Sequence, residues 1–237
     1  FKVIGKLIFF IKPISFIFSK RIKEMIKLMP SNFPKKNLPK MKIYRTEKRK
    51  KAVARVALLT GCVQQVISPQ INEATIRLLN RHNIEVIIPK GIGCCGSLDY
   101  HLGKNDLAKE TFKKNILIWY EEYLKNGLDA IISNTSGCGT TLKDYGFIFR
   151  GDDDLKKKAK KISELTKDIS EYLNENVKLN FIKNKENTKS YKIAYHSACS
   201  MQHGQKVHNV PINLLNKTGN KVFDIPEGHF VVVLLVL

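Results

Sequence analysis

Residues 53–62 read VARVALLTGC, an apolar run that ends in glycine and cysteine. The same pattern returns in IEVIIPKGIGCCG over residues 84–96 and in DAIISNTSGCG over residues 129–139. Short apolar runs bounded by turn residues are typical of buried strands. The three segments therefore predict three buried strands, each followed within a few residues by a loop that carries cysteine.

Helical patterns alternate with these strands. Apolar residues recur at helical spacing in residues 72–82, 105–125, 152–173 and about 207–215. Two further strands are predicted at Lys192–Tyr195 and Lys221–Ile225. Strands that alternate with helices predict an α/β fold with mostly parallel sheets and flanking helices.

Four of the five cysteines follow the three predicted strands: Cys62, Cys94, Cys95 and Cys138. The carboxyl ends of parallel strands form one rim of a sheet, where ligands bind in open α/β folds. We therefore expect four thiols on one rim. The alternative is that each cysteine is a small buried hydrophobic residue. The glycines next to all four favour a backbone that closely approaches a bulky ligand.

The spacing of the cysteines distinguishes between metals. Structural zinc sites usually take pairs of ligands separated by roughly two to four residues, whereas Cys94 and Cys95 are directly adjacent. Adjacent thiolates suit a cluster in which each sulfur binds a different iron, and thiolates are the usual ligands of iron–sulfur clusters. An odd number of cysteines without an export signal favours reduced thiols over a disulfide framework.

The charge distribution argues against nucleic-acid binding, although the formal net charge is +20. Residues 1–55 hold 17 of the 41 basic residues and 2 of the 21 acidic ones, so the rest of the chain is nearly balanced. Only 7 basic residues are Arg, which base and phosphate contacts favour. We expect no nucleic-acid partner. We interpret the basic start as a solvated segment or as one that touches an acidic membrane surface.

Cys199 begins a second, incomplete copy of the first cysteine motif. Thirty-one residues separate Cys62 from Cys94-Cys95-Gly96, and thirty-one residues after Cys199 the chain reads Val231-Val232-Val233. In both copies a strand precedes the first cysteine, and a helix and a second strand follow it. The pattern indicates a duplicated unit whose second copy lacks the adjacent cysteines.

These motifs resemble a known family. A cysteine, thirty-one residues, Cys-Cys-Gly and a later cysteine after a third strand resemble the cysteine-rich CCG domain, which occurs in two copies in heterodisulfide reductase and in related electron-transfer proteins. Longer strings resemble the iron–sulfur subunits of glycolate oxidase (glycolate dehydrogenase): GCVQ at 61–64, GCCG at 93–96, SGCG at 136–139, KDYG at 143–146 and HGQK at 203–206. The resemblance covers roughly residues 53–230.

The resemblance implies an iron–sulfur electron-transfer subunit of an oxidoreductase. Such a subunit accepts electrons from flavin-containing glycolate oxidase subunits, passes them toward a membrane quinone and has no hydroxy-acid site of its own. By match, Cys62, Cys94, Cys95 and Cys138 hold an iron–sulfur cluster of the 4Fe-4S type, and Cys199 starts a second set of metal ligands. The implied location is the cytoplasm, at the periphery of the inner membrane. The alternative is a metal or thiol-redox module of a lactate-utilisation or heterodisulfide-reductase-like protein, without relay activity.

We divide the chain into a basic helical and linker segment over residues 1–51, a first CCG repeat over 52–190 and the truncated start of a second repeat over 191–237. The family resemblance implies CCGSAGT where residues 231–237 read VVVLLVL. When CCGSAGT is written in codons that end in T and the reading frame is shifted by one base, the same nucleotides encode VVVLLVL. We therefore expect a frameshift before Val231, which resequencing of the locus tests. Because the family's ferredoxin-like region has no counterpart here, we also expect the chain to be a fragment.

Overall fold

A computed structural model describes residue 17 and residues 19–27, 42–45, 52–179 and 190–225. Its main sheet contains β1 (Lys42–Tyr44), β2 (Ala54–Leu59), β3 (Ile84–Ile88), β4 (Ala130–Ser133) and β5 (Thr166–Asp168). The strands lie in the order β1-β3-β2-β4-β5. β2 pairs in parallel with β3 and β4, β4 pairs in parallel with β5, and β1 lies antiparallel at one edge.

Helices cover both faces of this sheet. The helices of the described residues are α1 (Lys20–Lys27), α2 (Gln64–Ile67), α3 (Pro69–Arg81), α4 (Ser97–His101), α5 (Asn105–Asn126), α6 (Ser136–Ile148), α7 (Lys156–Leu165), α8 (Ile169–Asn176) and α9 (Asn209–Lys217). Successive strand residues point to opposite faces. Val56 of β2 therefore packs in one core cluster with Leu79 of α3, whereas Ala57 packs in the other with Phe112 of α5. All four are fully buried, as expected for a parallel sheet covered on both faces.

A second parallel pair of strands follows the main sheet. β6 (Lys192–Tyr195) and β7 (Lys221–Asp224) pair in parallel, with α9 between them in the chain. Before α9 the chain makes a short π-helical turn at Ser200–Gly204. α9 contacts α8 and the π-helical turn contacts α6, so this second unit rests against the helices of the main sheet.

The α/β architecture, with its mostly parallel sheet and flanking helices, confirms the predicted fold class. The helix predicted over residues 152–173 is wrong, because this stretch forms α7, β5 and α8. Thr166 and Asp168 are only 3 % and 5 % exposed, and their strand pairs with β4. Burial at the edge of the sheet and ladder hydrogen bonds outweigh the helical pattern at this point.

The two-repeat organisation stays a prediction. Each of the two units contains a strand, a helix and a second parallel strand. Residues 226–237, which include the predicted frameshifted tail, lie outside the described residues, as does most of the predicted basic segment 1–51. In the part of the chain that the structure describes, none of the helices is long and apolar enough to cross a membrane.

Candidate metal centre

Four cysteines lie at the carboxyl ends of three adjacent strands. Cys62 follows β2, Cys94 and Cys95 lie between β3 and α4, and Cys138 lies in the first turn of α6, after β4. β3, β2 and β4 are parallel neighbours, so their ends open on one rim. The structure thus brings together the four thiols that were predicted to meet.

The four thiols form two contacting pairs. The Sγ atoms of Cys62 and Cys94 are 3.6 Å apart, and those of Cys95 and Cys138 are 3.0 Å apart. Both distances exceed the roughly 2.05 Å of a disulfide bond, and all five cysteines are free thiols. Cys62 is exposed, Cys94 and Cys138 are half-buried, and Cys95 is only 3 % exposed. The set therefore extends from solvent into the core.

Hydrogen bonds within each pair divide the thiols into donors and acceptors. The Cys62 thiol donates to Cys94, and the Cys95 thiol donates to Cys138. These bonds raise the pKa of Cys62 and Cys95 and lower the pKa of Cys94 and Cys138. Burial and repulsion between the sulfurs oppose a second charge in either pair. The hydrogen bonds therefore favour the thiol form of Cys62 and Cys95 and the thiolate form of Cys94 and Cys138.

Backbone N–H groups also stabilise charge on the sulfurs. The N–H of Gly96 donates to Cys94 Sγ over 3.3 Å. A hydrogen bond from the Ser97 N–H opposes the rise in the pKa of Cys95. Hydrogen bonds from N–H groups to sulfur are one means by which proteins tune sulfur-ligated metal clusters.

Two buried polar side chains hold the Cys94-Cys95 loop. Neither is predicted as a site residue from the sequence, where Tyr145 enters only through the KDYG string. Asn115 Nδ2 of α5 donates to the Cys94 carbonyl over 2.8 Å, and Tyr145 Oη of α6 donates to the Cys95 carbonyl over 2.8 Å. Asn115 also donates to Tyr145 Oη over 3.3 Å. Asn115 is 1 % exposed and Tyr145 is fully buried, and burial raises the pKa of Tyr145. Asn115 has a signal in the sequence, because it is a lone amide among the apolar residues on one face of the helix predicted over residues 105–125.

A second polar network joins the loops that follow β2 and β4. Gln64 Nε2 donates to the side-chain oxygens of Asn72 and Asn134, over 2.9 and 2.8 Å. Thr135 Oγ1 donates to Gln64 Oε1 over 2.6 Å. The network therefore fixes the loop of the first thiol against the loop of the last.

The second unit meets α6 through two glycines. Gln205 Nε2 donates to Ser136 O over 2.9 Å, and its amide lies so close to Gly139 that an added Cβ there would be 2.7 Å from Nε2. A Cβ on Gly204 would likewise be 2.7 Å from Thr140 Cγ2. A side chain at position 204 would therefore press on Thr140, and one at position 139 would displace the Gln205 amide from Ser136 O.

Cys199 makes no hydrogen bond to the four thiols within the described ranges. It is half-buried and lies just before the π-helical turn of the second unit. Its expected role as the start of a second ligand set stays a prediction. The described residues also contain no group of three or more His, Cys, Asp or Glu side chains placed to hold one metal ion. The two pairs of thiols therefore do not reproduce the tetrahedral set of a structural zinc site.

The chemistry of the rim fits a group larger than one ion. It offers four soft sulfur donors, the ligand type that iron–sulfur clusters use. Space is available beside two of them, because no described atom outside the immediate chain neighbourhood of Gly93 or Gly137 lies within 4 Å of where a Cβ on either would stand. Cys62, Cys94, Cys95 and Cys138 could therefore hold a sulfur-ligated cluster.

Known proteins share this pattern of residues. Residues 56–143 match the family of the cysteine-rich domain CCG. The chain is 36 % identical over 177 residues to the glycolate oxidase iron-sulfur subunit of Escherichia coli, across 74 % of this chain and 42 % of that protein. It is 34 % identical over 119 residues to a probable glycolate oxidase iron-sulfur subunit of Bacillus subtilis, across 50 % and 26 %. It is 26 % identical over 176 residues to lactate utilization protein A of Anoxybacillus flavithermus, across 73 % and 70 %. No solved structure matches.

The rim of four thiols and the family match define the class, a protein with a cysteine-rich CCG domain, and they confirm the resemblance drawn from the motifs. Within that class, the chain is related to the iron–sulfur subunits of glycolate oxidase. It spans less than half the length of the two subunits compared, so the activity of such a protein is a separate inference.

Proposed function

We propose that Cys62, Cys94, Cys95 and Cys138 bind an iron–sulfur cluster of the 4Fe-4S type. The observation that carries the proposal is the convergence of four thiols from three strand ends on one rim, in a domain that matches the CCG family. The names of the related iron–sulfur subunits support the same kind of cofactor. When bound, such a cluster supplies one-electron transfer.

The residues of this chain would orient the ligands and exclude water from one side of the site. Asn115 and Tyr145 hold the carbonyls of Cys94 and Cys95, so the two adjacent thiols have one defined direction. The buried Cys95 would form the inner end of the site, and the exposed Cys62 its outer end. A redox partner would therefore approach from the Cys62 side.

We further propose that the chain serves as the electron-transfer subunit of a glycolate-oxidising complex. Flavin-containing subunits would be the electron donors and a membrane quinone the acceptor, and the chain would need no hydroxy-acid site of its own. The names of two relatives support glycolate oxidase. The excess of basic residues in residues 1–55 supports a position at an acidic membrane surface on the cytoplasmic side.

Anaerobic reconstitution of the chain with ferrous iron and sulfide tests the cofactor. We expect iron and sulfide to bind in equal amounts and to give a broad visible charge-transfer absorption that an iron chelator removes. Bound zinc and free thiols give no such absorption. Protein that stays colourless, or that binds iron without sulfide, would contradict the proposal.

A second candidate function is that of a metal or thiol-redox module in lactate utilisation. The observation that favours it is the match to 70 % of the length of a lactate utilization protein A. Mixing the reconstituted chain with the flavin subunits of a glycolate oxidase and glycolate separates the two. Bleaching of the visible absorption by glycolate supports the first candidate. Bleaching only with lactate and a lactate-oxidising partner supports the second.

A further inference from the structure

Glycines flank the cysteines of the rim, and the structure divides four of them into two classes. An added Cβ on Gly96 would lie 2.5 Å from Phe112 Cε1, and one on Gly139 would lie 2.7 Å from Gln205 Nε2. Gly96 also has a φ of +80°, in the left-handed region. Packing and backbone conformation therefore require glycine at position 96. At position 139 a Cβ would push the Gln205 amide away from its hydrogen bond to Ser136 O.

Neither packing nor backbone conformation requires glycine at positions 93 and 137. Across the described residues, no atom outside their immediate chain neighbourhood lies within 4 Å of a Cβ added at either position. Their φ angles lie outside the left-handed region. Gly137 is half-buried in the first turn of α6, and alanine stabilises a helix relative to glycine. Folding alone would therefore favour alanine at position 137.

The space beside Gly137 adjoins unused hydrogen-bond donors. Thr135, which precedes α6, makes no side-chain cap with a described residue. Within the described ranges, the N–H groups of Gly137 and Cys138 have no acceptor. Free N–H groups at the start of a helix attract anions. The sulfides of an iron–sulfur cluster would be acceptors of suitable charge, and they would reach these donors only if no Cβ stood between.

We infer that Gly137 is a positioning residue for the bound group. The missing Cβ keeps the space beside Cys138 open and lets an anionic polyatomic cluster approach the N–H groups of α6. Gly93, which is exposed, keeps the space beside Cys94 open in the same way. The inference rests on the proposed cluster function. It adds a requirement on the size of the bound group, because a single metal ion at the bond length of a thiolate ligand would leave this space empty.

Gly137→Ala in the full chain tests the inference, with Gly139→Ala and Gly151→Ala as matched controls. Gly151 also faces open space within the described residues, but it lies beyond the far end of α6 from the rim. For each variant we would measure the Tm of the apoprotein, the iron and sulfide bound after anaerobic reconstitution, and the binding of Zn²⁺.

For Gly137→Ala we expect an unchanged or higher apoprotein Tm, a several-fold loss of bound iron and sulfide, and unchanged Zn²⁺ binding. Gly93→Ala, an independent second variant, should lose iron and sulfide in the same way. Gly139→Ala should instead lower the apoprotein Tm, because its Cβ collides with Gln205. Gly151→Ala should match the wild type in all three measurements.

Each contrary result has its own meaning. A Gly137→Ala protein that binds iron and sulfide like the wild type would overturn the inference and leave the proposed cluster intact. A Gly137→Ala apoprotein with a clearly lowered Tm would overturn it by showing a structural role. Wild-type protein that takes up no iron and sulfide would overturn the proposed cluster itself.

Discussion

The two strand-helix-strand units of this chain have similar local order but different surroundings. β2 of the first unit lies between two parallel neighbours and has four consecutive buried residues, Val56–Leu59. β6 of the second unit pairs with β7, and its residues alternate between exposed and half-buried. Thiols converge only in the first unit, because β3 and β4 bring three of the four sulfurs to the end of β2. A cysteine after a strand becomes part of a site where adjacent parallel strands supply further ligands.

The loops of the two units also differ in their support. Buried Asn115 and Tyr145 bind the cysteine loop of the first unit from helices in the core. The second unit contacts α6 through the hydrogen bond from Gln205 to Ser136 O and through the close approach of Gly204 to Thr140. Changes in the first unit should therefore affect the whole fold, and changes in the second should act locally.

The largest difference between the units is expected from Cys94→Ser and Cys199→Ser. Serine at position 94 should remove most of the iron bound after reconstitution, since a hydroxyl is a harder and poorer ligand for iron in such clusters. Serine at position 199 should leave iron binding nearly unchanged, because Cys199 lies in the second unit and makes no hydrogen bond to the four thiols among the described residues. Iron and sulfide analysis per chain measures both, and the reverse order would show that the ligands are assigned to the wrong unit.

A glycine of the first unit should control global stability. Gly96→Ala should lower the free energy of unfolding by about 3 kcal/mol, because positive φ and a collision with Phe112 act together. Gly103→Ala is the matched control: its φ is +75°, but no described atom lies near its Cβ position. It should cost about 1 kcal/mol. Urea unfolding measures both free energies. Equal losses in the two variants would show that the contact between the added Cβ and Phe112 is relieved at no cost.

Loss of a loop-supporting hydrogen bond should destabilise the first unit more than the second. Tyr145→Phe should lower the free energy of unfolding by about 2 kcal/mol, because the Cys95 carbonyl and Asn115 lose a buried partner. Gln202→Leu removes the hydrogen bond from Gln202 Nε2 to Ser197 O in the second unit. It should cost about 1 kcal/mol or less, since this bond is only partly buried. Chemical denaturation compares the two, and a larger loss from Gln202→Leu would contradict the difference in support.

A small effect is also expected at the contact between the units. Gly204→Ala should cost about 1 kcal/mol and increase proteolysis within residues 190–225, because its Cβ would press on Thr140. Thr140→Ala in the same chain should recover part of the loss, since the two sites are in contact and should couple. Limited proteolysis and a double-mutant cycle measure the coupling. Strictly additive effects would mean that the second unit does not rest on α6 through this contact.

Much of the first unit could be predicted from local sequence. The apolar runs at Ala54–Leu59, Ile84–Ile88 and Ala130–Ser133 form the expected strands. A short run of apolar residues between turn residues is typical of a buried strand in an α/β fold. Residues 166–168 were predicted as helix, because three residues at the edge of a sheet are too few for strand periodicity to show. Their conformation depends on pairing with β4, which is distant in the chain.

The class of fold and the positions of the cysteines follow from the amino-acid order alone, because apolar periodicity and residue identity are local properties. The convergence of Cys62, Cys94, Cys95 and Cys138 also follows from the sequence, because each comes after a strand of one parallel sheet. How the four thiols pair depends on the folded chain, which joins Cys62 to Cys94 and Cys95 to Cys138. Folding also reveals Asn115 and Tyr145 as supports of the site, since their partners are backbone carbonyls. A carbonyl is present at every residue, and only the folded chain places a particular one within reach of a buried donor.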